Sequence, residues 1–293
     1  MDLICVGDVM LDVRVDAGEL AKGGDVHGRV ALRPGGTSAN AAVWAVAQGA
    51  SARVHGRVGD DLVGRLLRNE LAGRGVDAAL ADDTEVPSGT MLVVVEAGER
   101  SMVADRGANA RLAPEDLPAT LQAGAVLVSG YVLFQAGTEE AGVEAIRRSR
   151  APWIAVDASS WPLVDAVGRD GFHERADGAT AILANEREAH ALTGLEPVPA
   201  ARSLADRYRL VGVKRGAAGA LLILDGVERE APAAPVVERD PTGAGDAFDG
   251  VLLSSLARGT APDEALRRAC AAGARVAASA STWPEIERVE PDR

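Results

Sequence analysis

The chain has 293 residues, 47% hydrophobic and 25% charged, a balance that excludes disorder, collagen and low-complexity fibre and leaves enough apolar mass for a real core. Lys and Arg total 31 against 43 Asp and Glu, a net charge of −12, so a basic nucleic-acid surface is not expected, while small anions remain within reach of local backbone groups. Aromatic content of 3% leaves little for a base-stacking platform.

In chain order, short apolar runs alternate with helical patterns. LICVG reads as a strand, Thr37 to Gln48 as a helix, RVHGRVG as a strand and Asp60 to Ala72 as a helix. Farther on, AVLVSG, WIAVDA, AILAN and VGVKRG read as strands buried on both faces, all but the last followed by a helix. This rhythm predicts an α/β fold with a mostly parallel central sheet flanked by helices. Residues 13–33 and 89–105 carry strand signals without helices between them, the second as a hairpin turning at Ala97-Gly98-Glu99. They are expected to pair as a small β-sheet lid, with plain edge-blunting hairpins as the alternative. Thr242 to Ala280 reads as Ala-rich helix broken near Gly259-Thr260-Ala261-Pro262. Length alone suggests about two domains, but with no linker or repeat the expectation over 1–293 is one unit plus a lid.

Cys5 and Cys270 lie in apolar or Ala-rich surroundings without C-x-x-C spacing, so no disulfide framework is expected and a reducing compartment is the simpler reading. His27, His55, His173 and His190 show no metal-ligand spacing. No run reaches the ~20 apolar residues of a membrane span, and MDLICVGD lacks a basic segment leading into a long apolar stretch, so a cytoplasmic protein without a membrane partner is expected.

Ligands of open α/β sheets bind beyond the carboxyl ends of the strands. Five places qualify: Gly7-Asp8 with Asp12, Gly35-Gly36 with Asn40, Asn185 with Glu188, Gly216 with Gly219, and DPTGAGD from 240 to 246. The last is the most informative. Two glycines at the start of a helical pattern leave the N–H groups of Gly243, Ala244, Gly245 and Asp246 to bind an anion. The Asp246 carboxylate beside a bound phosphate is suited to take a proton from an attacking hydroxyl. The plainer alternative is that Thr242 or Asp246 caps a helix and the glycines close a turn. Neither G-x-x-x-x-G-K-[ST] nor a strand-linked G-x-G-x-x-G occurs.

Taken in order, PGGTSANAA (34–42), GRVGDDLVG (56–64), NERE (185–188), VKRGAAGA (213–220) and DPTGAGDAF (240–248) resemble the ribokinase-like (PfkB) carbohydrate kinase family over nearly the full chain. That resemblance implies an ATP-dependent kinase acting on a hydroxyl of a sugar or related small molecule. Asp246 matches the general base, and Gly243, Ala244 and Gly245 the anion hole. Asn185 and Glu188 match an N-x-x-E element that holds Mg²⁺ and phosphates largely through water. Asp12, Gly36 and Asn40 match positions that grip substrate hydroxyls, and Lys214, Gly216 and Gly219 the nucleotide-side loop. Asp240 and Thr242 match half of a monovalent-cation (K⁺) site.

Two departures stand out. Ser159-Ser160-Trp161 replaces the Asn and Arg often found there, and ASASTWPEIERV (278–289) lacks the Gly-Ala turn of the other half of the cation site. Tyr131 and Phe134 are candidates to face an acceptor sugar or, in a nucleoside kinase of the same family, a base. Arg106, with Arg14, Arg29, Arg33 and Arg100, is a candidate to hold the phosphate of a phosphosugar. A homodimer through the lid is expected on edge-strand grounds. The reading from a different class is a non-catalytic ligand-binding protein on the same scaffold.

Overall fold

The computed structural model describes residues 1–96, 99–279 and 281–285. The first half contains β1 (Leu3–Val6), β2 (Met10–Ala17), β3 (Arg29–Gly35), α1 (Thr37–Ala47), β4 (Ala52–Gly59), α2 (Leu62–Gly73), β5 (Asp77–Asp83), β6 (Thr90–Glu96), β7 (Glu99–Asp105) and the two-residue β8 (Leu121–Gln122). After β9 (Ala125–Ser129) come α3 (Gly130–Leu133), α4 (Glu139–Arg148), β10 (Ser149–Arg150), β11 (Trp153–Asp157), α5 (Trp161–Arg175), β12 (Ala181–Asn185), α6 (Glu186–Thr193), α7 (Pro197–Ala205) and β13 (Leu210–Lys214). The chain closes with β14 (Ala220–Leu224), β15 (Val227–Ala231), α8 (Ala244–Ala257) and α9 (Pro262–Ala277).

Nine strands form the central sheet in the order β15-β14-β13-β12-β11-β9-β1-β4-β5. All pairs from β13 to β5 are parallel, and β14 and β15 add an antiparallel edge. The continuous apolar runs are the parallel strands, and each is buried because helices cover both faces. Helices α1, α2, α8 and α9 build one core with Trp44, Leu67, Leu71, Phe248 and Leu252. The other core takes α4 to α7, with Ile146, Phe172, Leu192 and Leu204. Pro262 opens α9 in its first turn, where its missing N–H costs no helical bond. Both cysteines are buried and free.

Two features go beyond the predicted alternation. Strand β5, DAALADD, has no β-branched run and owes its conformation to parallel pairing with β4. The β14–β15 hairpin turns at Asp225-Gly226, both at positive φ, as a two-residue hairpin turn requires.

The two segments outside the rhythm form one four-stranded sheet, β3-β2-β6-β7. It begins at Met10, earlier than residue 13, because Met10 already pairs with Gly35. The predicted turn residues Ala97 and Gly98, and the side chain of Arg100, lie outside the described residues, while Glu96 and Glu99 are paired across the hairpin. Register sorts the two faces of this sheet. Leu32, Val13, Leu92 and Val103 fall in one row, while Asp12, Arg33 and Met91 occupy the neighbouring row on the other face.

Candidate functional site

The centre of the site is a contact between two helices. In α8 the backbone of Gly250 lies so close to α1 that a Cβ there would fall 2.1 Å from the carbonyl oxygen of Ala41. One turn earlier on α8, Asp246 is thereby brought beside Asn40 of α1, whose Nδ2 donates to Asp246 Oδ2 at 2.8 Å. Asn40 Oδ1 in turn accepts from Trp283 Nε1 at 2.7 Å. Asn40 therefore has both ends of its amide committed inside the protein. The expected grip on a substrate hydroxyl would have to use the second N–H or the second lone pair of this amide.

At the start of α8, Gly243 adopts φ 80° as N-cap, a left-handed conformation that favours glycine. The Ala244 N–H donates to Pro241 O at 3.1 Å, so Ala244 drops out of the expected anion hole. Among the described residues the N–H groups of Gly243, Gly245 and Asp246 have no partner and sit at the positive end of a 14-residue helix. Burial pushes the Asp246 carboxyl up to about 6, with the Asn40 hydrogen bond opposing the rise and Asp157 adding to it.

Beneath Gly245 lies a charge cluster that the sequence reading missed. Lys214 Nζ bonds to Asp157 Oδ1 at 2.9 Å and to Asp249 Oδ2 at 2.8 Å, all three side chains being almost buried. Burial opposes the charge on Lys214, yet Asp157 and Asp249 hold its pKa above the usual lysine value. Lys214, expected to serve the nucleotide directly, thus has its ammonium taken by two carboxylates. Asp157 was legible as a polar residue ending an apolar strand, and Asp249 as a carboxylate one helical turn from Asp246 in an otherwise apolar helix. Ser159, held at φ 61°, donates to Asp157 Oδ2 at 2.8 Å, which gives the departure Ser159-Ser160-Trp161 a local role.

Asn185 and Glu188 form a reciprocal cap of α6. Glu188 N donates to Asn185 Oδ1 at 3.0 Å, while Glu188 Oε2 and Oε1 accept from the backbone N and Nδ2 of Asn185, each at 2.7 Å. Burial and the charge of Asp157 push Glu188 up to about 7. Asp157, Glu188, Asp246 and Asp249 thus share one ammonium, Lys214, in a region with a deficit of positive charge. A divalent cation suits that deficit. Among the described residues no three His, Cys, Asp or Glu side chains converge to hold a metal by themselves.

Asn185, Lys214, Gly216 and Gly219 line one cavity of about 650 Å³ that ends on Ala244, Gly245 and Asp246. Its far wall, with Ala233, Val236, Ala274 and Ala277, is apolar and suits the flat face of a base.

On the acceptor side, α1 starts after Gly36, where an added Cβ would fall 2.3 Å from Asp8 O. Asp12 lies next to Gly35, and burial, with the charges of Asp246 and Asp240, pushes it up to about 7 against the opposing Arg33. No described residue hydrogen-bonds the Asp12 side chain. Arg33 stands across from Asp12 in the register, and its Nη1 is buried without a partner among the described residues. Arg106 is neutralised by a bidentate pair with Asp8, at 2.7 and 3.0 Å, and its Nη1 donates to Gln135 at 2.7 Å; it is not free for a phosphosugar. Half-buried Tyr131 has its hydroxyl pushed up to about 12 by burial and by the carboxylates of Asp157 and Asp246. Phe134 instead belongs to the core, stacked on Phe172 with ring centroids 4.4 Å apart, because its short helix turns the ring inward.

Asp240 Oδ2 accepts from Arg14 Nη1 at 2.6 Å, and Oδ1 from Thr242 N at 3.0 Å. Arg14, on β2, thus pairs with one of the two residues of the expected monovalent-cation site.

Comparison with known proteins finds likeness over nearly the whole chain. The profile of the pfkB family carbohydrate kinases matches residues 1–287. A fructokinase of Klebsiella pneumoniae is 33% identical over 300 residues, covering 94% of each chain. A ribokinase of Bacillus subtilis is 31% identical over 272 residues, covering 90% of this chain and 89% of the relative. The crystal structure of aminoimidazole riboside kinase from Salmonella enterica, complexed with aminoimidazole riboside and an ATP analogue, superposes with a TM-score of 0.80 at 27% identity, covering 96% and 95% of the two chains.

Proposed function

Because the chain belongs to the pfkB family of carbohydrate kinases and is an ATP-dependent phosphotransferase, we propose that it phosphorylates a hydroxyl of a sugar or sugar-like small molecule with Asp246 as the base. The observation that carries this reading is the pairing of Asp246, oriented by Asn40, with unpartnered N–H groups at the inner end of the 650 Å³ cavity. As the acceptor oxygen forms its bond to the γ-phosphorus, its proton passes to Asp246 and the bond to the ADP oxygen breaks. The N–H groups of Gly243, Gly245 and Asp246 stabilise the charge on the transferring group. Asp12 accepts from acceptor hydroxyls, Gly36 lets the chain approach them, and Tyr131 bounds the pocket. Asn185, Gly216 and Gly219 border the nucleotide. Glu188 and Asp157 would hold Mg²⁺ through water, and that ion, when bound, would neutralise phosphate charge.

The four-stranded sheet, with Asp12 on its inner face, closes over the acceptor and excludes water, so that 1–293 works as one unit. Its other face exposes Leu32 and Val103, each more than 60% accessible, which supports a homodimer through this sheet. Among the described residues no helix is long and apolar enough to cross a membrane, and a cytoplasmic enzyme is the reading kept. We further propose that Arg14, which pairs with Asp240, stands in for K⁺ there.

A second reading, an acceptor carrying a carboxylate or phosphate, is favoured by the unpartnered Nη1 of Arg33 opposite Asp12. The nucleoside reading keeps Tyr131 as its aromatic candidate, with Phe134 in the core. An ADP-release screen over pentoses, hexoses, keto-deoxy sugar acids, nucleosides and sugar phosphates tests the proposal. Turnover with a neutral sugar supports the first reading, and turnover confined to acidic acceptors the second. No acceptor-dependent ADP from any class overturns both in favour of a non-catalytic binding protein.

A further inference from the structure

The C-terminal segment that departs from the family pattern makes three anchored contacts beside the base. Trp44 Nε1 donates to Thr282 O at 2.8 Å, Arg74 donates to Pro284 O, and the Arg74 guanidinium lies 5.0 Å over the Trp283 ring. Thr282 also packs against the N-cap of α8, where a Cβ on Gly243 would come within 3.2 Å of it. Trp283 itself is only 3% exposed, and its indole N–H points at Asn40.

An indole nitrogen donates and never accepts. The atom of Asn40 that faces it must therefore be the amide oxygen, which turns the NH₂ towards Asp246. A carboxamide without that neighbour has two orientations differing by a half-turn, and one of them would aim an oxygen at the carboxylate. From this chain, Trp283 to Asn40 to Asp246, we propose that Trp283 is a positioning residue: its N–H fixes the orientation of Asn40 and so places the acceptor oxygen of the base. The inference rests on the reading of Asp246 as base. It also assigns a task to residues 282–284, which couple the segment after α9 to both the base and the N-cap glycine.

Trp283→Phe keeps an aromatic ring against Arg74 and removes only the donor. With one of the two bonds that orient the amide removed, kcat should fall by roughly tenfold, the loss of about one buried hydrogen bond. The acid limb of kcat/KM should move to higher pH, because the bond from Asn40 opposes protonation of Asp246; the KM for ATP should hold. A double-mutant cycle with Asn40→Ala separates positioning from packing. If Trp283 acts through Asn40, its substitution in the Asn40→Ala background adds almost nothing to the loss of kcat. Equal losses in both backgrounds, or wild-type kcat and pH profile in Trp283→Phe, overturn the proposal.

Asp246→Asn serves as the companion variant. Full turnover there removes the base reading itself, whereas loss of turnover there with an unaffected Trp283→Phe removes the positioning role alone. Wild-type protein supplies a readout independent of folding in the variants. The Trp283 indole N–H resonance, assigned through its contacts to Asn40, should exchange slowly and titrate with Asp246; fast exchange or a pH-independent shift also overturns the proposal.

Discussion

Replacing Gly250 by Ala puts the close approach of α8 to α1 under direct strain. The new Cβ would lie 2.1 Å from Ala41 O and 2.7 Å from Ala41 C, and backbone atoms cannot swing aside as a side chain can. The helices must part by roughly 1 Å to restore ordinary contact. Two opposing effects set the stability. Overpacking costs about 1–3 kcal/mol, and the higher helix propensity of Ala returns about 1 kcal/mol. The net loss of about 0–2 kcal/mol lowers Tm by roughly 0–8 °C in a chain of this size, so calorimetry alone discriminates weakly. Activity discriminates well. The Asn40–Asp246 bond, 2.8 Å long, stretches beyond hydrogen-bonding range, and displacement of a reacting group by about 1 Å costs up to roughly 10²-fold in rate. Initial rates at saturating ATP and acceptor should fall at least tenfold, and the acid limb of kcat/KM should rise. Gly73→Ala, where nothing lies within 4 Å of the added carbon, should be neutral. Wild-type kcat and pH profile in Gly250→Ala would refute the view that helix spacing sets the base.

Asp246→Asn should lower kcat by roughly 10²-fold or more while calorimetric ATP binding survives; in the parent enzyme, with the base titrating near 6, kcat/KM should drop about tenfold per pH unit below that value and level off above it, because only the ionised carboxylate accepts a proton. Asp12→Ala should raise the acceptor KM by about tenfold, equivalent to ~1.4 kcal/mol, with ATP affinity unchanged; loss of ATP affinity at constant acceptor KM moves the acceptor pocket elsewhere. Turnover should be the same in K⁺ and in a tetraalkylammonium buffer, whereas Arg14→Ala, which exposes Asp240, should become salt-sensitive; strong K⁺ activation of the parent protein contradicts the assignment of Arg14.

Periodicity and turn chemistry are local, and from them the sequence by itself determined the β/α rhythm, the four-stranded sheet, the break before Pro262 and the glycines at the start of α8. Asp246, Gly216 and Gly219 stood out for the same reason, each lying near a strand end or helix start where chemistry is expected in such a sheet, whereas Asp12, expected just after β1, falls inside β2. Tertiary structure decided what those residues touch. Phe134 reads as an exposed loop aromatic until the turn of α3 stacks it on Phe172, and Arg106 reads as a free cation until Asp8, 98 positions away, claims it. Asn40 illustrates the limit most plainly. Its place after Gly35-Gly36 was visible, but its partners lie 206 and 243 residues further on, at Asp246 and Trp283. Lys214, Asp157 and Asp249 meet only because parallel strands β11 and β13 end at one edge of the sheet beneath α8. No local pattern encodes such pairings; they follow from strand order and helix spacing, and those from the packing of small residues such as Gly250 that carry no chemistry of their own.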